Sequence, residues 1–205
     1  MEGIRWVFLD IGSTLVDESL AVRRRVERTV AGTGVSFEEF WSRVMEICKT
    51  DPKGYYLAAA EFGIKTVPWD SRDERVYPEA AEFLRRLRAR YCVGIIANQV
   101  SGCEGRLRAM GLLPYIDLIV ASAEEGVSKP DPRIFEIALQ RAGCEAQKAL
   151  MVGDRIDNDI RPARALGMKT VWLRQGLGSL VEPREDGERP DHTVFSLREL
   201  ADLLI

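Results

Sequence analysis

Residues 7–17 read VFLDIGSTLVD, an apolar run that ends abruptly in Asp10 and gives way to the small residues Gly12, Ser13 and Thr14. A carboxylate at the end of a buried strand, facing a polar turn, is a candidate nucleophile. Other polar residues stand in the same relation to apolar runs further along. Asn98 follows CVGIIA, Lys129 lies in the loop after DLIVA, and Asp154, Asp157 and Asp159 follow ALMV. If those runs are neighbouring strands, these residues converge on one site. Two carboxylates held roughly 4 Å apart repel by about 4 kcal/mol at an effective dielectric of about 20, so such a cluster calls for a cation. A ligand set of oxygens, with no histidine or cysteine, points to Mg2+. Mg2+ beside a lysine and a free carboxylate suits the binding and transfer of a phosphoryl group, with the carboxylate as nucleophile.

The elements that must position these residues follow from the apolar pattern. Short runs rich in Val and Ile at 4–9, 92–97, 117–121, 149–152 and 169–173 read as buried parallel strands. Between them, helical periodicity at 78–90, 103–110, 131–142 and 159–166 is closed in several places by glycine, as in RAMGL, QRAGC and RALGM. This alternation predicts an α/β fold, a doubly wound parallel sheet of Rossmann-like type, in which ligands bind beyond the carboxyl ends of the strands. HTVF adds a short last strand, and Ser196 with Glu199 marks a capped closing helix. Residues 18–76 break the alternation, because SLAVRRRVERTVAG, SFEEFWSRVMEICK and GYYLAAAEFG have helical periodicity and no strand. They predict a small helical domain at 18–76 inserted after the first strand, with the α/β core formed by 1–17 and 77–205. LGSLVEPREDGERPD at 177–191 reads as a long polar loop.

Composition narrows the function classes. A chain of 205 residues supports one substantial core with at most a small inserted domain. A net charge of -3 offers no general attraction to nucleic acid or to an anionic membrane. No apolar run approaches the roughly eighteen residues of a membrane span. The start of the chain lacks the pattern of a secretory signal, and Cys48, Cys92, Cys103 and Cys144 are too dispersed for a zinc site or a disulfide framework. The expectation is a soluble cytoplasmic protein, monomer or homodimer, with reduced thiols. The arginines of AVRRRVERTV and EFLRRLRARY alternate with apolar residues at helical spacing, and read as solvated faces of amphipathic helices.

Four ordered segments, FLDIGSTL, GIIANQ, SKPDPRIFEIAL and MVGDRIDNDIRPARALGM, resemble the four motifs of the haloacid dehalogenase-like (HAD) hydrolase superfamily. The helical insert lies where that family carries its C1 cap, so the resemblance spans nearly the whole chain. It implies a Mg2+-dependent phosphatase acting on a small phosphorylated metabolite. In that likeness Asp10 is the nucleophile that forms an aspartyl-phosphate, and Lys129 holds the phosphoryl group and balances its charge. Asp154 binds Mg2+ directly and Asp159 is an outer or additional ligand, with Asp10 and the backbone carbonyl of Gly12 completing the set. Thr14 supports the turn by hydrogen bonding and joins Asn98 and Lys129 as a phosphate-binding residue. The cap covers the site and selects the substrate. Trp41, Tyr55, Tyr56 and Trp69 either line that cover or fill the cap's own core.

Two positions depart from the family pattern. Phosphatases of this family carry a second aspartate two residues after the nucleophile, acting as general acid and then as general base; here that residue is Gly12. A positioned acid or base contributes about 10² to 10⁴ in rate, so its loss weighs most on substrates with poor leaving groups. The second motif normally offers a Ser or Thr hydroxyl to the phosphoryl oxygen, whereas here Ala97 precedes Asn98 and leaves backbone N–H groups, Gln99 or Ser101 to replace it. Asp17 is a candidate substitute for the missing acid, and Gly12→Asp is expected to raise turnover if that acid limits the rate. The alternatives are a weak or inactive relative that binds a phosphorylated ligand or partner, and a 2-haloacid dehalogenase. The metal-type segment GDRIDND disfavours dehalogenation, which needs no metal. Phosphonate hydrolysis needs a cap lysine, for which Lys49, Lys53 and Lys65 are available. His192 in PDHTVF, and Arg155 and Asp157 beside the metal ligands, read as structural or solvated.

Overall fold

In a computed structural model covering residues 1–205, the first strand, β1 (Trp6–Leu9), divides the core in two. Its two-residue period sends Val7 and Leu9 into one apolar cluster and Phe8 into another. After a tight turn come a two-residue strand, β2 (Val16–Asp17), and three helices, α1 (Ser19–Val30), α2 (Phe37–Cys48) and α3 (Gly54–Glu61). The chain returns through β3 (Arg75–Val76) and continues as α4 (Ala80–Arg88), β4 (Cys92–Ala97), α5 (Cys103–Ala109) and β5 (Leu118–Ala121). Next come α6 (Ser122–Glu125), α7 (Pro132–Ala142) and β6 (Ala149–Gly153). A π-helical turn at Ile156–Ile160 leads into α8 (Arg161–Ala165), followed by β7 (Lys169–Leu173), β8 (His192–Val194) and α9 (Leu197–Leu204).

Six strands form one parallel sheet in the order β5-β4-β1-β6-β7-β8, the doubly wound α/β arrangement that the alternation predicts. β1 pairs with β4 on one side and β6 on the other, so the winding reverses beside β1. The ends of β1 and β6 therefore flank the crevice in which such sheets bind ligands. One cluster joins 25 buried residues, including Leu84, Ile95, Leu150 and Leu200, and another joins 10, including Phe8, Ile96, Phe135 and Met151. Each fully buried side chain of this size contributes about 1.5–3 kcal/mol relative to exposure, which fixes the strand ends relative to one another. Gly94 on β4 shows how close the fit is, since a Cβ there would stand 2.4 Å from the ring of Phe8.

Helices α1, α2 and α3 gather a third cluster of nine buried residues, among them Val26, Phe40, Val44 and Ala58. Leu177 and Leu180 pack against it. The stretch expected to be a plain polar loop therefore connects the sheet to the helical layer, and it contains two 3-10 turns of its own. β2 and β3 have no counterpart in the sequence reading, because two residues carry no periodic signal. They pair antiparallel, Val16 with Val76 and Asp17 with Arg75, and tie together the two chain crossings between the sheet and α1–α3. The helix expected at 159–166 is regular only from Arg161. Before it, the N–H groups of Asp159 and Ile160 both donate to the Arg155 carbonyl, at 2.9 and 3.3 Å, and Pro162 supplies no N–H to continue a regular ladder backwards. No helix is long and apolar enough to cross a membrane.

Candidate active site

Asp10 extends the β1 ladder by donating its N–H to the Val152 carbonyl at 3.0 Å, and only then does the chain turn. The Ile11 carbonyl collects the N–H groups of Leu15 and Val16 at 2.9 and 3.0 Å, while Ser13 adopts the left-handed φ of 51° that closes the turn. The Asp10 side chain, 16% exposed, leaves the sheet at its carboxyl edge.

The neighbouring strand ends bring the remaining groups to it. Lys129 Nζ donates to Asp10 Oδ1 at 2.7 Å and to Asp159 Oδ1 at 2.6 Å, and the residue is 3% exposed. Asn98 clamps the lysine's main chain: its Nδ2 donates to the Lys129 carbonyl at 2.9 Å, and its Oδ1 accepts the Lys129 N–H at 2.8 Å. Asp159 Oδ2 accepts the Arg155 N–H at 3.0 Å, and Gly153 makes room for this carboxyl, since a Cβ there would come within 2.4 Å of it. Trp172 Nε1 donates to the Asp154 carbonyl at 2.8 Å, which anchors the backbone while the Asp154 carboxylate has no protein donor. Carboxyl oxygens of Asp10, Asp154 and Asp159 all lie within 4.8 Å of one another.

Two of the three carboxylates, Asp10 and Asp159, thus share one ammonium, and the third, Asp154, has none. Burial alone would lower Lys129, but Asp10 and Asp159 outweigh it and hold the ammonium above the ordinary lysine range. Burial and the neighbouring acids push Asp154 well above the usual carboxylate range. Burial also carries Asp159 up to about 6, with Lys129 opposing and Asp10 adding to the rise. The opposite effects across one ion pair have a single origin, an excess of negative charge in a buried pocket of oxygens. A divalent cation relieves that excess, and on this ground the residues present fit Mg2+.

These groups open into a cavity of about 590 Å³ whose far wall comes from α1, α2, α3 and the segment after them. There the Arg25 guanidinium lies 4.0 Å from the Tyr55 ring centroid, with Tyr56 and Trp69 at 5.1 and 5.8 Å. Arg25 donates to the Val67 carbonyl and the Tyr56 hydroxyl and has no carboxylate partner. Arg106 also reaches the cavity but is bound to Glu74 and Gln99. Arg155 forms a fork with Asp157 at 3.0 and 2.5 Å. The segment after β7 supplies a further wall through two glycines. A Cβ on Gly178 would lie 2.7 Å from the Asp154 carboxylate, and one on Gly176, whose φ is 65°, would lie 2.2 Å from Ser13 Oγ. A glycine pair inside an otherwise polar loop was the one sequence signal for this approach.

Asp10, Gly12, Asn98, Lys129, Asp154 and Asp159 all line the cavity. Thr14 does not. It is fully buried and its Oγ1 has no hydrogen-bond partner, so the turn support expected of its hydroxyl is absent, and the backbone bonds to Ile11 close the turn instead. The amide of Asn98, expected to face a phosphate, is engaged with the main chain of Lys129. The Gln99 amide oxygen accepts from Arg106 and its N–H donates to Ser122 Oγ, while Ser101 lies outside the cavity lining. Asp17 accepts the Ser19 N–H at 2.8 Å and also lies outside the cavity. Of the four aromatic candidates, Tyr55, Tyr56 and Trp69 line it, and Trp41 stacks on Phe37. None of Lys49, Lys53 and Lys65 lines it. The arginines of AVRRRVERTV are not simply solvated: Arg24 and Arg28 pair with Asp73 and Asp70 at 2.5 and 2.9 Å, and Arg25 faces the cavity.

The sequence reading also misses Glu18. This residue precedes α1, accepts a hydrogen bond from Ser13 Oγ at 3.1 Å and borders the cavity beside Gly12. Burial, with Asp10 adding and the Ser13 hydroxyl opposing, pushes its carboxyl up to about 7. It lies beyond the first motif, and nothing in the local sequence ties it to Gly12.

Comparison with known proteins agrees with this geometry. A family model described as haloacid dehalogenase-like hydrolase matches residues 4–167. The chain is 30% identical to a glyceraldehyde 3-phosphate phosphatase of Methanocaldococcus jannaschii, over 98% of its own length and 97% of the relative's. It is also 30% identical to a ribulose-1,5-bisphosphate 5-phosphatase of Halopiger xanaduensis, over 90% and 80% of the two chains. Among solved structures, the fold is similar to that of an HAD phosphatase from Thermococcus onnurineus, with a TM-score of 0.67, 23% identity and 98% of each chain covered.

Proposed function

Because the chain belongs to the haloacid dehalogenase-like hydrolases, we propose that it hydrolyses the phosphate ester of a small metabolite through an aspartyl-phosphate on Asp10. The observation that carries this reading is the 2.7 Å contact between Lys129 Nζ and Asp10 Oδ1 inside a carboxylate cluster that calls for a cation. Asp10, the Gly12 carbonyl, Asp154 and Asp159 would hold Mg2+. When bound, the ion would supply positive charge that screens the nucleophile from an anionic substrate and stabilises the transferring oxygens.

The rest is done by side chains of this protein. An Asp10 carboxylate oxygen attacks phosphorus, the bond from phosphorus to the ester oxygen breaks, and the phosphoryl group is carried on Asp10. Lys129, oriented by Asn98 and Asp159, keeps a positive charge beside that group without needing to move. Water then attacks phosphorus and displaces Asp10, releasing phosphate. Residues 18–76 are the cap and residues 1–17 and 77–205 the core in this reading, which the separate apolar cluster of α1–α3 supports. Relatives named for phosphatases of glyceraldehyde 3-phosphate and of ribulose-1,5-bisphosphate support a small phosphorylated carbon-chain substrate. Arg25, a cation without a carboxylate partner in the far wall, suits a substrate with a second anionic or oxygen-rich group.

A screen of phosphorylated metabolites with Mg2+ tests the function. At least one compound should release phosphate, and Asp10→Asn or EDTA should each abolish the release. Turnover that survives either treatment would rule out the mechanism. Tight binding of such compounds with no turnover across the panel would favour the inactive, ligand-binding alternative.

A further inference from the structure

The family pattern leaves the proton donor vacant at Gly12, and the geometry points to Glu18 as the group that fills this role. We propose that the Glu18 carboxyl, carried on the first residue of the cap, is the general acid and then the general base for phosphoryl transfer at Asp10. The proposal rests on the phosphatase reading above and adds a catalytic residue to it.

The φ of Gly12 does not lie in the left-handed region, so the backbone there does not require glycine. Space does. A Cβ on Gly12 would stand 2.6 and 2.8 Å from the two carboxyl oxygens of Glu18 and 2.9 Å from its carboxyl carbon. The carboxyl of Glu18 therefore lies against the place from which an acid at position 12 would project, reached from the start of α1 rather than from the turn.

Three further observations support a placed acid over a stray surface side chain. The Ser13 hydroxyl donates to Glu18 Oε2 at 3.1 Å and fixes the carboxyl from the nucleophile's own turn. The pairing of β2 with β3 holds the chain immediately before Glu18, and its carbonyl accepts the Val22 N–H at 2.8 Å to begin α1. Glu18 lines the same cavity as Asp10, Lys129 and Asp154, and it is paired with no cation, since the nearby Arg106 is bound to Glu74 and Gln99. The same geometry changes the expectation for Gly12→Asp. An aspartate added there meets the Glu18 carboxyl, so the substitution alone should not raise turnover.

As Asp10 attacks and the phosphorus–ester oxygen bond breaks, the electron pair stays on the departing oxygen, which takes the proton from the Glu18 carboxyl and leaves as the alcohol. The resulting Glu18 carboxylate then takes a proton from a water whose oxygen attacks the aspartyl-phosphate. The bond from phosphorus to Asp10 breaks, phosphate departs, and Glu18 is protonated again.

The experiment uses the full chain, Mg2+ and two kinds of substrate: 4-nitrophenyl phosphate, whose leaving group needs little help, and the best alkyl phosphate from the screen. Glu18→Gln should lower steady-state turnover of the alkyl ester by about 10² to 10⁴. With 4-nitrophenyl phosphate it should give a pre-steady-state burst of nitrophenolate, about one per active site, because the phosphoenzyme forms but its hydrolysis lacks a base. Gly12→Asp combined with Glu18→Ala should recover at least about tenfold over Glu18→Ala alone, and Asp17→Asn should stay within about twofold of the native protein. Mg2+ affinity measured by calorimetry should be unchanged in Glu18→Gln. Native turnover that survives Glu18→Gln within about twofold would overturn the role of Glu18 and leave the phosphatase reading standing. Loss of turnover with no burst and weakened Mg2+ binding would overturn it in favour of a metal ligand. Absence of any Asp10-dependent turnover in the native protein would overturn both readings.

Discussion

The two walls of the cavity are built on different principles. On the sheet side, Asp10, Lys129 and Asp159 sit at strand ends, joined by ion pairs of 2.6 and 2.7 Å, and Asn98 and Trp172 lock the adjoining main chain. On the helical side, Arg25 rests among three aromatic rings, and Tyr56 and Trp69 remain 54% and 38% exposed. One wall holds its groups by ion pairs; the other offers aromatic rings and one guanidinium with no carboxylate partner. On the proposed reading the difference separates reaction from selection, with the reacting groups on the sheet side and the substrate contacts opposite. Glu18 stands at the seam, since it belongs to the helical layer but touches the turn that carries the nucleophile.

Breaking the sheet-side wall should have the largest effect. Lys129→Ala leaves the Asp10 and Asp159 carboxylates without their shared cation, and should reduce turnover by at least about 10³. Removing one partner of a buried ion pair costs about 3–5 kcal/mol, which urea unfolding in the absence of metal would register, reduced by whatever protonation of the acids recovers. A variant that keeps native turnover would show that the ammonium is not part of the chemistry.

A second effect separates the walls by pH. In the metal-free protein, burial raises Glu18 from an ordinary 4.5 to about 7 and Asp159 from 3.8 to about 6, so between those limits the folded state binds more protons than the unfolded state. Metal-free stability should therefore fall as pH rises from about 4.5 to about 7, with the raised Asp154 adding to the fall, and saturating Mg2+ should stabilise most at the upper end. Thermal unfolding at fixed ionic strength, with and without Mg2+, reads both. A metal-free stability that climbs through that interval would mean that the acidic cluster is not under the strain described here.

The smallest effect belongs to the helical-side wall. On the proposed reading Arg25 binds substrate away from the reacting atoms, so Arg25→Ala should raise KM about tenfold, or ~1.4 kcal/mol, with kcat little changed. A drop in kcat with unchanged KM would place Arg25 with the chemistry and erase the contrast between the walls.

The same contrast explains what can be read from sequence. The sheet-side wall is legible because its residues terminate apolar strands, and the sheet order then follows from alternation: Asp10, Asn98, Lys129, Asp154 and Asp159 reach one cavity as their positions predict. Roles inside that wall were less legible. Asn98 turns to the Lys129 main chain rather than outward, and Thr14 is buried behind the turn with its hydroxyl unpaired, because backbone geometry, not residue type, decides where those side chains point. The other wall hid its members in ordinary amphipathic periodicity. Arg25 looks like its neighbours Arg24 and Arg28 until Asp73 and Asp70 claim those two. Glu18 and Gly12 are linked only through the fold, and the β2–β3 pairing that sets their approach joins segments on either side of the entire helical insert.

The central claim is that Asp10 carries the phosphoryl group, and acid-quenched single turnover followed by peptide mass spectrometry tests it most directly. With Mg2+ and a substrate from the screen, the account predicts a phosphoryl group on the peptide containing Asp10 that appears and decays at rates consistent with turnover, and is absent in Asp10→Asn. Turnover with no phosphorylated peptide, in Glu18→Gln as well as in the native protein, or with the phosphoryl group on another residue, would contradict it.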